Sequence, residues 1–285
     1  MQLKKRLNHG ELGPVGRVVV YALLFAGLLL FAFPLFWMVT TSLKTLGSVH
    51  KIPMVWIPNP FVWGNYSEVF NKVPYMRYMI NTIVYTGITM FSTAFASSLV
   101  AFAFARLRAR GSAVLFALVL STMMIPPQVT MIPQYLLFNQ FNWIDSYLPL
   151  IIPSFAGSAF LIFLLRQFYL GISKELDEAV KIDGGGYFTI YFRVILPLSV
   201  PAVATAVIME FMYRWNDLIG PLIYLSTGEL YPLSLGLANF TAAYSATPWN
   251  LLMAASCVAV LPPLLLFFFA QKYFIQGIVI TGSKG

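Results

Sequence analysis

The 285-residue chain is 59% hydrophobic and only 10% charged, whereas a soluble domain carries about 25% charged residues, so an ordinary water-soluble domain is excluded and the chain belongs in lipid. A net charge of +8 would suit nucleic acid in a soluble protein, but the basic residues are distributed as membrane topology requires, which removes that partner. One cysteine, Cys257, and two distant histidines, His9 and His50, exclude an internal disulfide and leave no zinc-ligand pattern.

A membrane-spanning helix needs roughly 20 mostly apolar residues. Six stretches qualify: 18–43, 78–105, 112–138, 147–165, 200–225 and 250–271. The first is longer than a signal-peptide core and no A-x-A-like cleavage site follows it, so it is expected to stay as a helix. Lys4, Lys5, Arg6, Arg17, Arg106, Arg108, Arg110, Arg166, Lys174, Lys181, Arg193, Lys272 and Lys284 fall in one alternating set of segments. Only Lys44, Lys51, Lys72 and Arg77 fall in the other, and Arg214 lies inside the fifth stretch. The positive-inside rule then puts both termini in the cytoplasm. The outer segments are 45–77, rich in Pro and Trp, the short 139–146, and 226–249. The third stretch contains Pro126, Pro127 and Pro133; each removes a backbone donor. Two readings stay open there: a broken helix lining a path, or a kink that improves packing.

The cytoplasmic segment between the fourth and fifth stretches carries a second kind of signal. Ser173 suits an N-cap, and Glu175, Asp177 and Glu178 sit in the first turns, where the helix dipole favours acids. Asp177 and Lys181 are expected to pair at i,i+4. Leu176, Ala179 and Val180 share an apolar face, and Gly184–Gly186 stop the helix. Leu196-Pro197 marks the start of the fifth span. A short, rigid amphipathic helix facing the cytoplasm fits a groove on a soluble partner. The acidic first turn argues against its lying on an anionic membrane surface.

The fifth span holds Glu210, Arg214 and Asp217, with Asn216 between them, in otherwise apolar sequence. Charges at such depth face a cavity or a partner. Glu210 and Arg214 are placed to pair along one helix face. They either set helix packing or, with Asn216, give a polar lining that hydrogen-bonds sugar hydroxyls; Tyr213 and Trp215 could stack on sugar rings. Arg214 leaves room for an anionic solute such as a uronate oligomer or glycerol phosphate.

The cytoplasmic loop resembles the signature of binding-protein-dependent ABC importer permeases: Glu-Ala-Ala, three residues, Gly, nine residues, Ile-x-Leu-Pro. It reads Glu178-Ala179-Val180, Gly184, then Val194-Ile195-Leu196-Pro197, with every spacing kept and two conservative departures, Val180 and Val194. Ser173 stands where the family usually has Pro. Further similarity to the carbohydrate-uptake branch, of the type of the smaller maltose-importer permease, lies in Asn81-Thr82, Met124-Ile125-Pro126, Ile132-Pro133, Leu164-Leu165-Arg166-Gln167-Phe168, Trp215-Asn216-Asp217 and the tail from Gln276-Gly277 to Lys284-Gly285. The resemblance implies an all-α polytopic inner-membrane protein with six transmembrane helices, a type I ABC importer permease. It would comprise a cytoplasmic tail over 1–17, a permease domain over 18–275 with a coupling loop at about 171–199, and a cytoplasmic tail over 276–285, of which Thr281–Gly285 would reach between the ATPase subunits. Implied partners are a second permease in a heterodimer, two ATPase subunits and an extracytoplasmic solute-binding protein, with a sugar-like substrate. Glu178, Ala179, Asp183, Gly184, Leu196 and Pro197 would carry ATPase coupling; Tyr213, Arg214, Asn216, Asp217 and Glu210 are candidates for the substrate path. No G-x-x-x-x-G-K-[ST] occurs and Gly184–Gly186 has no following Lys. The chain is therefore expected to hold no cofactor and not to be an enzyme, with ATP and Mg bound by the partner ATPases. The competing class, an ion-coupled secondary transporter, would normally show inverted repeats, and none is evident.

Overall fold

A computed structural model describes residues 14–242 and 247–282. Every described regular element is helical, as lipid demands of an open chain whose backbone groups must be satisfied internally. The chain divides into two compact units, 1–72 with 244–258, and 73–243 with 259–285.

In the first unit, α1 (Pro14–Ser42) is a 29-residue apolar helix whose most hydropathic window is wholly unburied within the chain. That surface suits lipid or another subunit. Its C-terminal carbonyls would be orphaned in that setting. The chain therefore returns to them through α2 (Leu46–Val49) and α3 (Gly64–Lys72). Asn65 Nδ2 donates to the carbonyls of Ser42 at 2.7 Å and Lys44 at 2.8 Å, and Val62 N donates to the Leu43 carbonyl at 2.9 Å. Asn250 then donates to Asn65 Oδ1 at 3.1 Å. The buried Lys44 keeps its ammonium 4.1 Å from the centre of the Trp37 ring.

The second unit is built around α4 (Tyr75–Arg106), a 32-residue helix whose buried face carries Thr82, Thr86, Thr89, Ser92, Thr93, Ser97 and Ser98. Small residues on one face allow close helix approach in a membrane. Several of these hydroxyls are satisfied locally: Thr82 and Thr89 donate to the carbonyl four residues back at 2.8 Å. The third expected span is broken. α5 (Ser112–Thr122) and α6 (Pro127–Gln140) meet at 94° because Pro126 is extended and Pro127 starts a new helix; Pro133 stays inside α6. The fourth span, Leu148–Leu170, comprises α7 (Leu148–Ile151), a 3₁₀ turn over Ile152–Ala156, and α8 (Ala159–Leu170). α9 (Glu175–Ile182) follows.

The fifth span departs most from expectation. α10 (Tyr187–Leu198) is bent by 79° from α11 (Val200–Trp215). Pro197 and Pro201 each lack the N–H that would continue the ladder there. α11 stops at Trp215, ten residues short of the expected end at 225, and a separate α12 (Ile219–Tyr224) follows. α13 (Leu233–Ala242) lies so close to α4 that a Cβ at Gly236 would run into the Tyr78 ring. α14 (Trp249–Gly282) continues the sixth span as one helix, so positions 276–282 of the expected tail are helical. The expected sites at 1–13 and 283–285 lie outside the described residues. Four helices are long and apolar enough to cross a membrane, and six spans result when each bent pair counts as one.

At the end opposite α9, Asp145 closes a clamp. Its carboxylate accepts from the N–H groups of Ser226 and Thr227 at 2.8 Å and from the Thr227 hydroxyl at 2.5 Å. Those bonds, the hydroxyl foremost, hold its carboxyl below the usual carboxylate range.

Candidate functional site

Two regions collect the chemistry, and both lie in the second unit. The first is the segment around α9. The N-cap position is Lys174, one residue later than expected; Ser173 Oγ instead accepts from Glu175 N at 3.2 Å. The helix ends in a paired closure: Gly184 N donates to the Lys181 carbonyl at 3.0 Å and Gly185 N to that of Val180 at 2.8 Å, with Gly184 at φ +80°. Gly185, the middle of the three glycines expected to stop the helix, is the sterically demanding position, since a Cβ there would sit 2.5 Å from Val180 Cγ1.

The expected Asp177–Lys181 pair does not form. Asp177 faces Arg106, at the end of α4, at 3.4 Å, and both side chains are nearly buried. Arg106 Nη2 also donates to the Ile172 carbonyl at 2.8 Å, and Lys181 lies over the Tyr187 ring. A buried partner outcompetes an exposed i,i+4 neighbour because the attraction is stronger away from water. The apolar face divides likewise: Val180 packs on the core, while Leu176 and Ala179 stay exposed beside Ile182, which is 86% exposed. Glu178, Asp183 and Pro197 are exposed and Leu196 is half-buried. Tyr169 and Tyr191 hydroxyls both bind Ser98 Oγ at 2.7 Å, joining α8 and α10 to α4. α9 is thus a short rigid rod, fastened underneath and open on its outer side.

The second region is a cleft of about 820 Å³ between α6, the α7 segment and the α11–α12 junction. Gln128 and Gln134 line it opposite Tyr213, Arg214, Asn216 and Asp217. Tyr213 is 62% exposed. Asn216 Nδ2 is tied to the Met212 carbonyl at 2.7 Å, and among the described residues none donates to its side-chain oxygen. The expected Glu210–Arg214 pair forms at 2.7 Å. Arg214 Nη1 also donates to Tyr85 Oη at 3.3 Å, and Tyr85 Oη donates to Asp217 Oδ2 at 2.8 Å. Asp217 Oδ1 accepts from Gly220 N at 3.1 Å, starting α12. Glu210 and Arg214 on α11, Tyr85 on α4 and Asp217 at the α11–α12 junction therefore form one chain of bonds. Glu210 lines a smaller adjacent cleft instead of the large one.

Tyr85, Gln128 and Gln134 were missed by the sequence reading. Tyr85 had a signal: Tyr78, Thr82, Tyr85, Thr86, Thr89 and Thr93 make a polar stripe at helical spacing on α4. Gln128 and Gln134 had none, because only the bend before Pro127 turns them toward α11. Among the described residues no group of three His, Cys, Asp or Glu side chains converges on a point where a metal could sit.

The family described as binding-protein-dependent transport system inner membrane component matches residues 11–280. The arabinooligosaccharides transport system permease protein AraQ of Bacillus subtilis is 32% identical over 98% of this chain and 100% of its own length. The probable ABC transporter permease protein YurM of the same organism is 32% identical over 95% of this chain and 90% of its own. The sn-glycerol-3-phosphate transport system permease protein UgpE of Agrobacterium fabrum is 30% identical over 94% and 98%. In fold, the chain matches a subunit of a bacterial ABC transporter that imports the acidic polysaccharide alginate, with a TM-score of 0.81 at 24% identity, covering 92% of this chain and 99% of that one.

Proposed function

The chain belongs to the inner-membrane components of binding-protein-dependent transport systems, as a permease subunit of an ABC importer and not an enzyme, and from that premise we propose that it forms a path for a neutral oligosaccharide. The cleft carries this reading. Its one arginine is already held by Glu210 and Tyr85, so Gln128, Gln134, Asn216 and Tyr213 offer hydrogen bonds and ring surface without a free cation. Sugar hydroxyls leaving water need such partners. The arabinooligosaccharide relative supports the class. The glycerol-3-phosphate relative keeps an anionic sugar derivative as the second reading, and the neutralised Arg214 weighs against it. Family membership removes the ion-coupled alternative.

Within this reading a second permease completes the path and an extracytoplasmic solute-binding protein delivers the sugar. Two ATPase subunits, which hold ATP and Mg, receive α9 through the exposed Leu176, Ala179 and Ile182, with Glu178 and Asp183 at the rim. Leu196 and Pro197 carry the motion into α11. Both termini are cytoplasmic. The test is uptake by the assembled importer in proteoliposomes, offering arabino-oligosaccharides and, separately, glycerol 3-phosphate and a uronate oligomer. ATP-dependent accumulation of the neutral sugar alone is expected. Uptake of only the anions would overturn the substrate class.

A further inference from the structure

We infer that the smaller cleft is a second sugar subsite, continuous with the larger one, which takes the units of an oligosaccharide beyond a disaccharide while the first two units occupy the larger cleft; this rests on the neutral-oligosaccharide reading above. The smaller cleft has a volume of about 480 Å³, within the roughly 300–1,000 Å³ of small-molecule sites. Pro153, Tyr213 and Arg214 line both clefts, so the two spaces share one wall. That wall includes the Tyr213 ring, which carries the Arg214 guanidinium over one face at 5.1 Å from its centre and is still 62% exposed. A sugar chain threading past it would stack one ring there.

The polar groups of the smaller cleft are unevenly used. The Ser154 hydroxyl is engaged by Ser92 and the Ile151 carbonyl, and the Thr93 hydroxyl donates to Glu210 Oε1 at 3.3 Å. Arg214 Nε occupies that same Oε1. What remains among the described residues is Glu210 Oε2, the Ser158 hydroxyl and the Gly157 carbonyl, none of which takes part in a hydrogen bond. Glu210 as a residue is 7% exposed, yet its unshared oxygen stays accessible and can accept from a hydroxyl that enters the cleft.

The backbone points the same way. The fourth span is interrupted at Gly157 and Ser158, between the 3₁₀ turn and α8. Ser97 of α4 closes the back of the break: its Oγ accepts from Ser158 N at 2.9 Å, and a Cβ on Gly157 would lie 3.1 Å from Ser97 N, at a φ of +80° that already disfavours one. Irregular backbone inside a span is tolerated where it lines a polar cavity, and this break lines the smaller cleft. Two acceptors beside one hydroxyl suit a polyol, which both donates and accepts. The carboxylate disfavours an anion, and Arg214 at 2.7 Å from it disfavours a free cation. Phe160, Leu161 and Met209 supply apolar surface for the C–H faces of a sugar.

The experiment is a length series in the assembled importer: arabino-oligosaccharides from the disaccharide upward, with KM and kcat for uptake. Ser158→Ala is the clean variant, because the Ser158 hydroxyl makes no helix-capping bond. It should leave disaccharide uptake unchanged and raise KM for the longest sugars by roughly two- to tenfold, the worth of one net hydrogen bond. Ser158→Val, which also fills space, should deepen the same length dependence. A merely structural role would change all lengths alike. Equal effects across lengths, or none in either variant, would overturn the subsite and leave the substrate class standing. If the unaltered importer takes up no neutral sugar, the substrate class falls and the subsite with it.

Discussion

At the residue scale, the fifth span combines groups that hold the structure with groups free to meet a solute. Glu210 through Oε1, Arg214, Tyr85 and Asp217 are bonded in one chain, so removing one strands its neighbours; breaking a buried pair costs about 3–5 kcal/mol. Asn216 stands apart, exposed and bonded only to its own helix. Asn216→Ala should therefore reduce sugar uptake by roughly two- to tenfold, while expression, solute-binding-protein docking and basal ATP hydrolysis of the complex persist. Unchanged uptake in Asn216→Ala together with Tyr213→Ala would move the path away from α11. The sequence displayed this cluster because charge in an apolar run is conspicuous. It carried Tyr85 within a polar stripe on α4 but could not display its bonds to Arg214 and Asp217, which depend on α4 lying beside α11, nor reveal that Asp217 starts a new helix.

At the element scale, α9 works as a rod held at two points. Its closure by Gly184 and Gly185 and its dipole-matched acids were legible, since capping and end charges are local effects. Its fastening was not. The Asp177 carboxylate has an exposed lysine four residues on and a buried arginine 71 positions earlier in the chain, and only tertiary placement chooses between them. The choice has a consequence: Arg106→Ala leaves Asp177 nearly buried without its counter-ion, at a cost of about 3–5 kcal/mol. The full importer carrying Arg106→Ala should lose ATPase co-purification and coupled uptake, and Arg106→Ala with Asp177→Ala should recover part of both. Gly184→Leu, forced into a left-handed backbone, should weaken ATPase attachment while the permease stays in the membrane. Normal attachment in all three variants would remove α9 as the docking rod.

At the scale of the whole molecule, six crossings with both termini inside is a claim about sidedness. It follows from where the lysines and arginines fall, and chemistry can test it. In a background with Cys257 replaced by Ser, an impermeant thiol reagent added outside should label Ser226→Cys and spare Ser173→Cys. The reverse labelling would invert the protein and place α9 on the side without ATP. The bent pairs matter here: α5 with α6 and α10 with α11 span only as pairs. The break at Pro126-Pro127 brings the exposed Gln128 and Gln134 to the larger cleft, and Ser199, at the other break, is buried.

The sequence alone determined what depends on composition and local order. A charge deficit, long apolar runs and biased basic residues fix a polytopic helical membrane protein, because transfer into lipid is summed over consecutive residues and needs no knowledge of the fold. The spacing from Glu178 to Pro197 marked the loop of an importer permease, because a motif with fixed gaps is itself a one-dimensional object. The tertiary structure decided the pairings between distant positions: Arg106 with Asp177, Tyr85 between Arg214 and Asp217, and Ser97 behind the break at Gly157. Those contacts depend on which helix faces meet and where each helix bends. In lipid the apolar runs look alike from every side, so the hydropathy that identifies a span cannot say which neighbour its polar stripe will touch.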